Sequence, residues 1–205
     1  MDGKVTRVLR QFEKRSAKES QQIRQMDDSA LYKHRDEFLL SVGPDTGQLI
    51  HLLAKEARAK TILEVGSSYG YSTVWLADAA RENGGKVISL ELLAAKQEHA
   101  RKAIRGAGLD GFVDFRLGDA RESLRKLKQS VDFVLLDLWK DLYIPCFDLF
   151  YRKLRPGAFV VADNMTYPES AQRHARAYRE HVAKKPHITS VLLPVGSGLE
   201  LSRYK

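Results

Sequence analysis

From residue 61 onward the chain alternates between short apolar runs and longer amphipathic stretches, and this rhythm restricts the fold more than any other feature. The runs are 61–65 (TILEV), 86–90 (KVISL), 112–116 (FVDFR), 131–136 (VDFVLL) and 158–162 (AFVVA). Helix-like stretches lie between and after them, near 71–82, 93–106, 119–128, 142–154 and 169–184. Strands separated by helices of this length return through right-handed crossovers, which predicts a parallel sheet covered on both faces. The end of the chain breaks the rhythm. His187–Leu193 and Leu199–Tyr204 are joined only by Pro194-Val195-Gly196-Ser197-Gly198, too short for a helix, so they form an antiparallel hairpin.

Ahead of residue 61 there is no strand signal, and residues 1–40 read as helices. Val5, Val8, Leu9 and Phe12 recur at helical spacing in 5–12, and Leu31, Phe38, Leu39 and Leu40 mark a second stretch over 29–40. A turn at Val42-Gly43-Pro44-Asp45 follows, with Pro44 opening a helix over Thr46–Ala59. Asn83-Gly84-Gly85 stops a helix, Asp119 with Glu122 forms a capping-box variant, and Pro168 suits a first helical turn. The expected fold class is α/β: a Rossmann-like, doubly wound, mainly parallel seven-stranded sheet with a C-terminal hairpin and N-terminal helices. With 205 residues, no repeat and no linker, one domain is expected, with 1–58 as a helical lead-in and 61–205 as the core.

Composition excludes several classes. Apolar residues at 43% and charged residues at 29% describe an ordinary soluble chain. No apolar run approaches a membrane span, and the start, MDGKVTRVLRQFEKRS, has no signal-peptide core. A single cysteine, Cys146, rules out an internal disulfide and fits a cytoplasmic setting; its apolar flank suits core packing. The six histidines show no metal-ligand spacing. The net charge of +8 leaves an acidic partner such as nucleic acid open without favouring it. Lys4, Arg7, Arg10, Lys14, Arg15 and Lys18, interleaved with Glu13 and Glu19, suit an exposed helix face, as do Arg173, Arg176 and Arg179.

In open parallel sheets, ligands sit beyond the carboxyl ends of the strands, where the strand order reverses. The first run ends in Glu64-Val65-Gly66-Ser67-Ser68-Tyr69-Gly70-Tyr71-Ser72. This is not the dinucleotide pattern. It puts an acid at the strand end and two glycines, Gly66 and Gly70, four apart, where the backbone could approach a ligand. An acid is a poor neighbour for pyrophosphate and a good one for a cationic amine, which points to S-adenosylmethionine rather than NAD. Glu91 ends the second run, where a carboxylate can accept from both ribose hydroxyls. Gly118-Asp119-Ala120 follows the third run, placed to edge an adenine.

The fourth run leads into Asp137-Leu138-Trp139-Lys140 and the fifth into Asp163-Asn164. On adjacent strands these ends lie roughly 5 Å apart. Asp137, Asp163 and Asn164 then offer hard oxygen ligands suited to Mg²⁺ or another divalent cation. A phenol, with a pKa near 10, is a poor nucleophile at neutral pH. Chelation of two neighbouring oxygens would favour the oxyanion, and Lys140, depressed by the cation's charge, would take the proton. Glu200, at the start of the last strand, is placed to meet the second hydroxyl if that strand lies beside the fifth.

At these residues the chain resembles the catechol O-methyltransferase family, including its caffeoyl-CoA-type and small bacterial members, over roughly residues 35–205. LEVGSSYGYS is similar to the family's cofactor loop, LDLWKD to its metal-and-lysine segment, FVVADNMTYP to its second metal segment, and GLELSRY to its closing strand. The resemblance implies Asp137, Asp163 and Asn164 as Mg²⁺ ligands, Lys140 as base, and Asn164 and Glu200 against a vicinal diol. It implies Val42, Glu64, Gly66, Ser72 and Glu91 around the S-adenosylmethionine, with Ser68 and Gly70 in the same loop and Trp139 against the adenine. Phe38, Leu40 and Pro168 become walls of the acceptor slot, and a small hydroxylated aromatic acceptor and a homodimer are expected. Leu138 departs from a histidine of the animal enzymes, Phe38 from a larger aromatic, and Ser68 from a glycine of the wider motif. Two other readings stay open: a tRNA hydroxyuridine O-methyltransferase, as some relatives are, and a non-catalytic cofactor-binding protein.

Overall fold

The computed structural model describes residues 1–23, 25, 26 and 33–205, with Arg35 by its backbone alone. The strands are β1 (Thr61–Val65), β2 (Lys86–Glu91), β3 (Val113–Leu117), β4 (Val131–Leu136), β5 (Leu154–Ala162), β6 (Ile188–Leu193) and β7 (Leu199–Tyr204). The α-helices are α1 (Gly3–Ile23), α2 (Pro44–Glu56), α3 (Tyr71–Asn83), α4 (Ala94–Gly106), α5 (Ala120–Lys126), α6 (Tyr143–Tyr151) and α7 (Gln172–Ala183). They build one seven-stranded sheet in the order β3-β2-β1-β4-β5-β7-β6. β1 to β5 run parallel, and β7 pairs antiparallel with both β5 and β6. The order reverses between β1 and β4, which opens a crevice at their carboxyl ends.

Side-chain alternation sorts the sheet into two faces. Ile62, Phe133, Leu135 and Val161 pack with Val5, Phe12, Ile50, Trp75 and Ile104 of α1 to α4. Leu63, Val65, Val134, Leu136, Val160 and Ala162 pack with Leu124, Phe147, Tyr178 and Val182 of α5 to α7. Each Val, Leu, Ile or Phe side chain among them, taken fully out of water, contributes about 1.5–3 kcal/mol. The same alternation governs the polar residues. Glu64 pairs in register with Ser89 and Leu135, so it belongs to the α1–α4 face. Glu200 pairs with Ala162 and belongs to the opposite face.

Most expected elements appear within a residue or two, and the exceptions have local causes. β5 begins at Leu154, ahead of the expected 158, because the register with β4 shifts around Arg155-Pro156-Gly157. α1 runs well beyond 5–12, to Ile23. Of the expected helix over 29–40, Leu31 lies outside the described residues. Phe38 and Leu40 are not helical: a short 3-10 turn over Arg35–Glu37 gives way to an extended strap reaching Gly43. Leu40 has a φ of 44°, which no helix accommodates. Pro168 sits just ahead of the turn Glu169–Ala171, in extended conformation, rather than inside a first turn. Asp119 caps α5 by accepting the Arg121 N–H, while Glu122 turns to Arg125, so half of the capping box is made. No helix of the described residues is long and apolar enough to cross a membrane.

Candidate active site at the carboxyl ends of the strands

The loop after β1 is organised by two buried acids. Glu64 is fully buried and accepts from Ser72 Oγ, Thr73 Oγ1 and Ser89 Oγ, each at 2.7 Å. Burial lifts its carboxyl to about 7 against the pull of those hydroxyls. Glu64 and Ser72 are bonded to each other, and their carboxylate and hydroxyl pin the start of α3 to the sheet. Glu91 accepts the backbone N–H of Ser68 at 2.8 Å and of Leu93 at 2.9 Å. That places its carboxylate at the rim of the loop.

The two glycines serve the protein's own packing. A Cβ on Gly66 would lie 2.0 Å from the carbonyl oxygen of Asp137, and one on Gly70 would lie 2.7 Å from Ala100 Cβ. Their φ values, 94° and 98°, also favour glycine. Gly66 lets the β4 end close against the loop, and Gly70 admits α4. Ser68 has a φ of 47° without being glycine, and its Oγ donates to Leu39 O at 3.1 Å. Asp119 is held by the Arg121 guanidinium at 2.6 Å, which keeps its carboxyl down at about 2, so only its backbone and Ala120 remain to edge a ring.

The strap is clasped from three sides. Glu19 of α1 accepts the Leu39 N–H at 2.8 Å, Arg15 donates to Glu37 O at 3.0 Å, and Tyr69 of the loop donates to Asp36 O at 3.0 Å. Arg15 also stacks over the Tyr69 ring at 4.4 Å. Val42 is buried beside the hairpin loop, where Gly196 approaches its carbonyl. Phe38 is buried and Leu40 is exposed, so of the expected walls only Leu40 presents its side chain freely, with Pro168 half-buried. The sequence reading passed over Leu92 and Leu117, exposed apolar side chains at the ends of β2 and β3. An apolar residue beside a strand-end acid was the available signal.

Asp137 and Asp163 leave the adjacent strands β4 and β5 directly after the paired residues Leu136 and Ala162. Asp163 is buried and accepts the Asn164 N–H at 2.7 Å. Asn164 has a φ of 57°. Burial pushes both carboxyls up, and for Asp163 the neighbouring Asp137 charge adds to it. Lys140 Nζ donates to Leu138 O at 3.1 Å and to Tyr143 Oη at 2.5 Å, and lies 3.6 Å from Asp137 Oδ1. Its pKa is lowered by burial, with Asp137 and Asp163 opposing, so the depression expected from a cation already has a cause in the protein. Trp139 stands half-exposed at the same edge.

Glu200 lies one strand further along the same sheet. Its backbone neighbours Ala162, as expected, but its side chain points to the α7 face and is 3% exposed. There it accepts from Arg179 Nε at 2.7 Å. Arg179 is therefore no free surface cation, while Arg173 and Arg176 are exposed. The register of β7 on β5 sets its face, and its charge acts on Tyr178, the ring packed against Tyr143. His51, Asp78 and Glu82 also gather, on α2 and α3, but Arg81 binds Asp78 and Lys55 binds Glu82. That cluster is an ion-pair network. Cys146 is buried, its thiol pushed up to about 12 by burial, in keeping with core packing.

Comparison with known proteins bears on this geometry. Catechol O-methyltransferase of Niastella koreensis is 38% identical over 130 residues, 62% of this chain and 58% of that protein, so the match spans less than two thirds of its length. Caffeoyl-CoA O-methyltransferase 1 of Eucalyptus globulus is 29% identical over 185 residues, 80% of this chain and 75% of its own. Among solved structures, the O-methyltransferase TomG of Streptomyces achromogenes, in complex with SAM, superposes with a TM-score of 0.76 at 29% identity, covering 88% of this chain and 91% of that one. The family model described as O-methyltransferase matches residues 13–205, which takes in the whole sheet, both loops of strand-end acids and the second half of α1. The chain belongs to the O-methyltransferase family.

Proposed function

We propose that the chain transfers a methyl group from S-adenosylmethionine to one hydroxyl of a catechol-like vicinal diol. Asp137, Asp163 and Asn164 would hold a divalent cation, Mg²⁺ by the hardness of the donors, and Lys140 would act as the base. The observation that carries this reading is the meeting of Asp137, Asp163 and Lys140 at the ends of β4 and β5. The names of the relatives support the acceptor class, and the SAM complex of TomG supports the donor.

The donor set fits a cation on its own chemistry. Two carboxyls are pushed up by burial, one of them also by the other's charge, and the Lys140 charge beside Asp137 offsets this only in part. When bound, the cation would favour ionisation of the diol and hold both its oxygens. The chain's own residues would do the rest. Leu138 O and Tyr143 Oη orient Lys140 Nζ beside Asp137, and burial lowers its pKa, which eases loss of its own proton before it takes one from a phenol. Glu91 fixes the loop through Ser68 and Leu93 and offers its rim to a ribose, while Leu92, Leu117 and Trp139 expose apolar surface along the same edge for an adenine. Glu64 works through the loop, by anchoring Ser72 and Thr73.

A second reading, an RNA acceptor, draws on α1. Lys4, Arg7, Arg10, Lys14 and Lys18 are exposed along it. The acids of the same stretch are engaged: Asp2 with Arg81, Glu13 with Tyr71, Glu19 with Arg15 and Leu39. Lys4 to Lys18 spans about 21 Å of helix, presenting cations to a linear polyanion.

One assay separates these readings. The protein is incubated with labelled S-adenosylmethionine and catechol, caffeoyl-CoA or a tRNA transcript, with and without chelator. The expected result is label on a diol, abolished by chelator and restored by Mg²⁺. Transfer that ignores the chelator sinks the cation. Label on tRNA alone, weakening steeply as salt rises, replaces the diol with the second reading.

A further inference from the structure

Tyr143 opens α6 and is fully buried. Its hydroxyl accepts from Lys140 Nζ at 2.5 Å and donates to the backbone carbonyl of Asp163 at 3.1 Å. A phenol has one proton to give. With that proton committed to Asp163 O, Tyr143 can only accept from Lys140, so the chain of donors runs one way, from ammonium to phenol to carbonyl. One hydroxyl thus joins the segment after β4, with Asp137 and Lys140, to the segment after β5, with Asp163 and Asn164. Nothing in the spacing of the sequence marked it, because the join depends on how α6 packs under the sheet edge.

We propose that Tyr143 is a positioning residue for the methyl transfer: it holds Lys140 beside Asp137 rather than on it and ties the two acid-bearing segments together. This rests on the reading of Asp137, Asp163 and Lys140 given above. Without the phenol oxygen, the ammonium keeps Leu138 O and has Asp137 Oδ1 as its nearest anion, 3.6 Å away. Closing that gap would place Lys140 on the oxygen a divalent cation needs and turn the amine away from an acceptor. The carbonyl of Asp163 would lose its donor at the same time.

A built-in control sits next door. Tyr178 of α7 packs edge-on against Tyr143 with ring centroids 5.4 Å apart and is equally buried, and its hydroxyl has no hydrogen-bond partner among the described residues. Tyr178→Phe removes a hydroxyl from the same aromatic cluster without touching Lys140, and both Phe variants retain the ring.

The test compares wild type, Tyr143→Phe and Tyr178→Phe in three measurements. In steady-state kinetics with a diol, Tyr143→Phe is expected to lower kcat about tenfold or more, as for loss of a hydrogen bond to a charged group, with KM for S-adenosylmethionine within about twofold. Tyr178→Phe keeps the wild-type kcat. In calorimetry with Mn²⁺ alone, Tyr143→Phe raises Kd several-fold and Tyr178→Phe does not. Reductive methylation of Lys140, read by peptide mass spectrometry, slows in Tyr143→Phe alone. The proposal is overturned if the two Phe variants behave alike, or if labelling of Lys140 does not slow in Tyr143→Phe. A wild type that neither turns over a diol nor binds Mn²⁺ overturns the functional reading instead, and the Lys140 labelling then decides the positioning role by itself.

Discussion

The two ends of the strand edge treat their acids in opposite ways. At β1 and β2, Glu64 receives three hydroxyls and Glu91 two backbone N–H groups. At β4 and β5, among the described residues, Asp163 receives one backbone N–H and Asp137 has the Lys140 ammonium at 3.6 Å. Glu64 and Asp163 are both buried and both pushed up, so burial does not distinguish them. The supply of donors does. A carboxylate surrounded by the protein's own hydroxyls is finished and serves as scaffold. Two carboxylates set side by side with few donors would, on the proposed function, take their charge from outside.

The sharpest way to break this contrast is Asp163→Asn. Catalysis and stability should then move apart. Loss of one acid from the proposed cation set removes several kcal/mol of charge stabilisation, so kcat/KM should fall about 10³-fold. The amide oxygen can still accept the Asn164 N–H, and a buried carboxyl that repels its neighbour is gone. Thermal melting without divalent cations should therefore be unchanged or higher. A variant that melts markedly lower while still turning over would show that Asp163 is scaffold after all.

Glu64 should behave in the reverse manner. Its carboxyl titrates near 7 in the folded chain against an ordinary 4.5, so between those values the folded state binds the extra proton. Its contribution to stability is fully present below about 4.5 and is lost as pH rises through 7, on the order of 3 kcal/mol in all. Glu64→Gln should flatten that part of the stability profile, measured by urea unfolding from pH 4.5 to 8 without ligands. An unchanged slope would mean that the hydroxyls of Ser72, Thr73 and Ser89 hold the carboxylate ionised.

The strand-end acids were legible in the sequence because a parallel sheet delivers the ends of its strands to one edge, whatever the details of packing. Glu64, Glu91, Asp137 and Asp163 needed only that topology. What each side chain faces was not legible. The face of Glu200 depends on the register of β7 against β5, which a short hairpin loop does not set. Arg179 and Tyr143 acquire partners only when α7 and α6 dock. Gly66 and Gly70 carried a true signal of close approach, while their contacts with Asp137 and Ala100 depend on packing that spacing does not show. The strap misled because Phe38, Leu39 and Leu40 form an apolar run with nothing to mark the extended backbone. The early start of β5 hid behind Pro156 and Gly157, which ordinarily signal a turn.

A smaller perturbation asks whether the two ends are independent. Ser68 holds a φ of 47°, donates its hydroxyl to the strap at Leu39 O and its N–H to Glu91. Ser68→Gly relieves the backbone and removes one hydrogen bond, terms of about 1 kcal/mol each and opposite in sign. Melting should barely move. The clasp between loop and strap should loosen, raising the Kd for S-adenosylhomocysteine about two- to fivefold while the Kd for Mn²⁺ stays put. Movement of the Mn²⁺ affinity as well would locate coupling at Gly66, where the loop already touches the Asp137 carbonyl. The finished end would then be setting the geometry of the unfinished one, and the division between scaffold and reactive acids would be one of degree.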